Sequence, residues 1–161
     1  TDLSLLRDEF AAYVPSLERV FITENEVNLL AFPRLSNSLV IFGSGYSIET
    51  LDRAEWLKSR EIYYWGDIDT HGFSILDRLR GHFPHTRAIL MDRPTLLEHR
   101  PYWVREKKPT SVALHRLTPE EAELYADLVT GRYGQGVRLE QEMVRFPWVH
   151  RALEAATGCT R

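Results

Sequence analysis

The sequence predicts an α/β fold: a mostly parallel sheet flanked by helices, with a C-terminal helical extension. Two observations carry this. Short apolar runs rich in β-branched and aromatic residues alternate with helical patterns from the start of the chain to Pro94, the mark of βαβ units. Four of those runs are followed at once by Glu24, by Gly43, by Asp67 with Asp69, and by Asp92. In open parallel sheets, sites form outside the carboxyl ends of the strands. Three acidic clusters and one glycine turn are therefore expected at a single edge.

Leu5, Leu6, Phe10 and Val14 fall at helical spacing before Pro15. Val20–Thr23 reads as a strand, and Val27, Leu29, Leu30 and Phe32 as a short helix stopped by Pro33. Leu39–Phe42 is a second strand, closed by Gly43-Ser44-Gly45-Tyr46, and Glu49 to Leu57 is helical. The third strand, Ile62–Trp65, leads through the acidic turn to a helix from about Phe73 to Phe83. A fourth strand is expected at Ala88–Met91, a helical turn at Thr95–His99, and irregular chain from Arg100 to Pro109. Thr118-Pro119-Glu120-Glu121 is a helix start with proline at the first helical position, and that helix should end before Gly131. Leu139-Glu140-Gln141-Glu142 reads as the opening of a last helical region that contains Pro147 and ends near Gly158. Residues 1–17 form a leading helix and linker, 18–95 the core, and 96–161 a basic loop and helical extension of the same domain.

With 161 residues and 43% hydrophobic content, the chain can bury a real core. No apolar run approaches the roughly 20 residues that span a bilayer. The N-terminus lacks a signal-peptide pattern and opens with Thr1, so the chain reads as a piece of a longer protein. Cys159 is the only cysteine, which excludes an internal disulfide and a multi-cysteine zinc site, and a reducing, cytoplasmic setting is expected. The net charge of −3 hides an uneven distribution. Residues 1–77 carry six Lys/Arg against thirteen acids, whereas Arg78 to Arg116 carries nine Lys/Arg against three. Anions that could hold a metal thus precede cations that could hold phosphate. A solvated face would also account for such a run. Tyr102 and Trp103 among Arg105, Lys107 and Lys108 suit nucleic-acid contact or a tryptophan anchored in the core.

The organising stretch is Ile62-Tyr63-Tyr64-Trp65-Gly66-Asp67-Ile68-Asp69-Thr70-His71-Gly72. In extended chain Asp67 and Asp69 point to the same side, and two like charges there require something positive between them. A magnesium-like cation is the simplest answer, and a solvated loop at a strand end is the plainer one. A calcium loop of the EF-hand type would place Gly72 correctly but fails at His71 and Arg78. A dehalogenase-type phosphatase motif fails because Thr70 comes one residue early.

Glu24 after one strand and Asp67-x-Asp69-x-x-Gly72 after a later one resemble the Toprim domain shared by topoisomerases, bacterial primases and several nucleases. Ile22-Thr23-Glu24-Asn25-Glu26 and Gly66 to Gly72 look most similar to the topoisomerase VI A subunit. With Phe42-Gly43-Ser44-Gly45-Tyr46 and Arg138-Leu139-Glu140-Gln141-Glu142 added, nearly the whole chain is similar to the C-terminal domain of JetD, the nuclease subunit of Wadjet anti-plasmid systems. The resemblance implies a Toprim-like sheet and cleavage of double-stranded plasmid DNA dependent on Mg2+ or Mn2+. Glu24, Asp67 and Asp69 would be catalytic and metal-binding, with Glu26 either a ligand to a second metal or a residue supporting the ligands from behind. It also implies a bacterial cytoplasmic setting and condensin-like SMC partners. A homodimer would suit double-strand breaks, and no membrane role is expected.

From the chemistry, Asp67 and Asp69 are expected to hold metal, and Glu24 to bind metal or act as general base. His71 could donate to a phosphate or make a structural hydrogen bond in the turn, and Asp92 could bind through water or cap a helix. Glu140 and Glu142 belong to the resemblance without a physical role. Two other classes stay open: a non-catalytic DNA-binding or assembly module, and a small-molecule phosphoesterase with Asp67 as nucleophile.

Overall fold

The structure, a computed structural model, describes residues 7–25, 35–42 and 48–158. Leu5, Leu6, Glu26, the helix expected over Val27–Phe32, the Gly43–Tyr46 turn and Cys159 lie outside these residues.

Four parallel strands form the sheet: β1 (Arg19–Thr23), β2 (Ser38–Phe42), β3 (Glu61–Trp65) and β4 (Arg87–Ala88), in the order β2-β1-β3-β4. Central β1 and β3 are buried along almost their whole length, as expected of parallel strands covered on both faces. Their register pairs Thr23 with Trp65, so Glu24 and Gly66 leave the sheet side by side. Phe21 and Tyr63 stack across the pair with centroids 4.9 Å apart.

The helices are α1 (Arg7–Ala12), α2 (Ile48–Asp52), α3 (Thr70–His82), α4 (Arg93–Glu98), α5 (Pro119–Thr130) and α6 (Phe146–Thr157). Apolar residues of α3 supply much of the core: Phe73, Leu76 and Leu79 are buried with Leu57, Phe83 and Leu96. Each such side chain contributes about 1.5–3 kcal/mol. Helix α5 is fastened to α3 by the buried ion pair of Arg80 and Glu121, and Glu121 also closes a capping box with Thr118. The Tyr63 hydroxyl donates to the Ala156 carbonyl at 3.1 Å, tying α6 to the sheet.

Four expectations need correction. Helix α3 starts at Thr70, three residues early, because the extended Asp69 caps it; Gly72 therefore lies in the first turn rather than before it. The stretch Glu49–Leu57 divides into α2 and a 3-10 helix, Glu55–Ser59. Only Arg87–Ala88 of the fourth strand pairs, since Leu90 adopts φ 62° and turns the backbone away. Leu139–Glu142 does not open a helix. Val137–Arg138 forms β6, antiparallel to β5 (Val104–Arg105). Leu139 then exchanges both backbone hydrogen bonds with Ile68, at 2.9 and 3.1 Å, and a 3-10 turn, Gln141–Met143, follows. Helix α6 begins at Phe146, with Pro147 in its first turn.

Candidate metal-binding active site

The turn after β3 is built by its own backbone. Asp69 Oδ1 accepts the Gly72 N–H at 2.7 Å, which caps α3 and fixes the carboxyl group. A Cβ on Gly72 would collide with the Asp67 carbonyl oxygen and sit 3.4 Å from Asp69 Oδ1. The close approach of helix and loop at this point requires glycine. Asp67 is held from the opposite direction: its Oδ1 accepts the backbone N–H of Gln141 at 2.9 Å.

Both aspartates face one cation, and it is Arg138. Its Nη2 donates to Asp67 Oδ2 at 2.7 Å and lies 3.5 Å from Glu140, while Nε lies 3.5 Å from Asp69 Oδ2. That Nε is buried and has no hydrogen bond among the described residues. Burial works against the guanidinium charge, but Asp67, Asp69 and Glu140 raise its pKa all the same. The positive group that the paired aspartates demand is thus present in the chain, 69 residues beyond Asp69. Sequence reasoning missed it, although Arg138 and Glu140 flank the apolar Leu139 in alternation, and that period places both on one side of an extended segment.

Glu24 completes the acidic group. Its Oε1 accepts the hydroxyl of buried Tyr64. A Cβ on Gly66 would strike both that hydroxyl and, at 2.5 Å, Glu24 Oε1. Burial chiefly, opposed by the tyrosine and reinforced by Asp67 and Asp69, pushes the Glu24 pKa up to about 6. Asp69 rises to about 6 as well, first from burial and then from Glu106 and Asp67, against its bond to Gly72. One guanidinium does not neutralise this cluster.

The cleft is also lined by Glu106, Lys107 and Lys108, on the loop after β5. Glu106 is buried, and sequence reasoning did not single it out. It accepts the Thr70 hydroxyl at 2.7 Å and the Thr70 and His71 backbone N–H groups at 3.3 Å each. His71 bonds the Lys108 carbonyl through Nε2 at 2.6 Å, a contact to the lysine loop and not one within its own turn. Lys107 and Lys108 remain exposed and line the same cleft of about 350 Å3 as the carboxylates.

Other expectations sort by contact. Asp92 caps α4, accepting the Thr95 N–H at 2.8 Å. Glu142 accepts a hydrogen bond from the Asn25 side chain, and Glu140 joins Arg138. Trp103 is anchored, donating to the Leu96 carbonyl at 2.8 Å. In the basic segment Arg78, Arg80, Arg93 and Arg116 are engaged by Glu49, Glu121, Asp127 and Asp77, which leaves the lysine pair as the cations facing the cleft.

The donor set fits a hard divalent cation: Glu24, Asp67 and Asp69 offer carboxylate oxygens at a cleft that holds an excess of negative charge. Among the described residues, no group of three or more acidic, histidine or cysteine side chains is arranged to hold a metal ion, and Arg138 pairs with both aspartates instead. Glu26 lies outside the described residues.

Fold and site together describe an α/β domain with an acidic centre at the carboxyl edge of a parallel sheet. Residues 1–153 match the family described as the Wadjet protein JetD, C-terminal, and the chain belongs to that family. No curated protein matches the chain. No helix among the described residues is long and apolar enough to cross a membrane.

Proposed function

We propose that the chain is the catalytic portion of a metal-dependent DNA endonuclease within a Wadjet plasmid-defence system, built on a Toprim-like sheet. The observation that carries the reading is that Glu24, Asp67 and Asp69 line one cleft together with Lys107 and Lys108. The family membership supports the defence context.

Asp67 and Asp69 would hold Mg2+ or Mn2+, with Glu24 as third ligand or general base. A metal in that place supplies Lewis acidity toward the phosphate and toward water. The chain's own groups do the rest. A carboxyl with a pKa near 6, as for Glu24, can take a proton from water near neutral pH. Tyr64 fixes its direction. Lys107 and Lys108 attract the DNA backbone without reading sequence. Double-stranded plasmid is the substrate and condensin-like SMC subunits are the partners under this reading, with a homodimer suited to cutting both strands.

Arg138 between the aspartates favours a second reading, a non-catalytic assembly module. Nicking of supercoiled plasmid in Mn2+ separates the two. Metal-dependent nicking that Asp69→Ala abolishes is the expected result. Nicking that survives Asp69→Ala would reject this site, and Mn2+ that neither binds the protein nor promotes nicking would favour the assembly module.

A further inference from the structure

The DNA-cleaving reading leaves Arg138 without a role, yet its placement is specific. Strand β6 is only two residues long, and it is held on the acidic turn by the paired backbone bonds of Leu139 with Ile68. One residue away, the guanidinium bonds Asp67 at 2.7 Å and reaches toward Asp69 at 3.5 Å. Two residues further, the Gln141 N–H takes the remaining oxygen of Asp67, and the Gln141 side chain donates to Thr23 Oγ1 at 3.0 Å beside Glu24. The segment 138–141 therefore docks as a unit over the carboxylates.

A guanidinium and a divalent cation compete for the same oxygens. Asp67 Oδ2 cannot serve both, and Asp69 Oδ2 faces only Arg138 among the described residues. The arginine is poorly settled there. Its Nε is buried and, though 3.5 Å from Asp69 Oδ2, makes no hydrogen bond among the described residues, while about a third of the side chain remains exposed (35%). An arginine with an unmet buried donor, an exposed flank and an open cleft beside it is able to change partners. The partner that suits it is a phosphodiester, whose two oxygens match the guanidinium fork. The lysine pair directs such a group into the same cleft.

From this geometry we infer that Arg138 is an internal placeholder for the metal, released when a DNA phosphate takes over its guanidinium. The inference rests on the metal-site reading. It makes metal and DNA binding mutually reinforcing, because each removes an obstacle to the other. Without DNA the arginine neutralises the aspartates and keeps metal affinity low. With DNA the same side chain becomes a phosphate ligand.

The test is calorimetric titration with Mn2+ alone, in the absence of DNA, on the wild type and on Arg138→Gln and Arg138→Lys. Removing an opposite charge within bonding distance of a carboxylate changes its cation affinity by about tenfold or more, so Arg138→Gln is expected to bind Mn2+ at least about tenfold more tightly. Arg138→Lys, with one compact charge unable to span both aspartates, is expected to fall between. Adding a short duplex is expected to tighten Mn2+ binding by the wild type and to change it little in Arg138→Gln. A folded Arg138→Gln that binds Mn2+ no more tightly than the wild type would overturn the inference while leaving the metal site intact. Should Arg138→Gln fail to fold, an Arg138→Lys affinity equal to or weaker than wild type would overturn it. If none of the three proteins binds Mn2+, the metal-site reading itself fails.

Discussion

Thr70 and Glu106 lock the two walls of the cleft together. The Thr70 hydroxyl donates to Glu106 at 2.7 Å and accepts the Thr110 N–H at 2.8 Å, so one side chain at the start of α3 fixes both ends of the lysine loop. Glu106 lies on an irregular segment 36 residues further on, yet it caps the helix that begins at the acidic turn.

Breaking that lock should release the loop before it unfolds the domain. Glu106→Ala removes three hydrogen bonds to a buried carboxylate and is expected to cost about 2–3 kcal/mol. Amide hydrogen exchange over residues 106–110 should rise by more than exchange in β1 and β3. Uniform acceleration across the chain would show that Glu106 supports the whole core rather than this loop.

Gly72→Ala places a methyl group against the Asp67 carbonyl, a backbone atom that cannot swing aside. Overpacking of this kind costs roughly 1–3 kcal/mol. The loss should appear in urea denaturation, and Mn2+ affinity should fall with it because the aspartate turn shifts. An unchanged midpoint would mean that the turn yields more easily than its contacts imply.

The raised carboxyl groups set a pH dependence for the metal-free protein. Glu24 and Asp69 titrate at about 6 when folded, against about 4 in an unfolded chain. The folded state then holds the extra protons between those values. The stability these groups contribute is full below about pH 4 and is lost as pH rises through about 6. In EDTA, the wild type minus Asp69→Asn difference in unfolding free energy should decline across that window by on the order of 2 kcal/mol. A difference that grows with pH would reverse the assignment.

The buried pair of Arg80 and Glu121 joins α5 to the helix that frames the site. Arg80 also donates to the carbonyls of Thr86 and Arg116, at 2.9 Å each. Arg80→Ala leaves the largely buried Glu121 carboxylate with its Thr118 N–H bond but without the arginine, with an expected cost of about 1.5–3 kcal/mol, measurable as a lowered melting temperature.

The legible part of the structure is the part written locally. Strands β1, β2 and β3 announce themselves as apolar runs, and the carboxylates after β1 and β3 follow because strand ends in a parallel sheet share an edge. The start of α5 was legible at Thr118 and Pro119, and its end at Gly131, which adopts φ 72°. What the sequence concealed is long-range. The backbone pairing of Leu139 with Ile68 turned an expected helix into an extended segment. That change delivered Arg138 to the aspartates, and no local pattern states the partner of a two-residue strand. Glu106 was hidden for the same reason: a buried acid on irregular chain has no period, only a distant helix terminus to cap.

The most direct test of the proposed metal site is the anomalous scattering of a crystal of the chain soaked in Mn2+ with a short duplex. The expected result is a peak within about 2.2 Å of carboxylate oxygens of Asp67 and Asp69, with the Arg138 guanidinium moved off both. A guanidinium still bonded to Asp67, with no manganese within bonding distance of either aspartate, would contradict it.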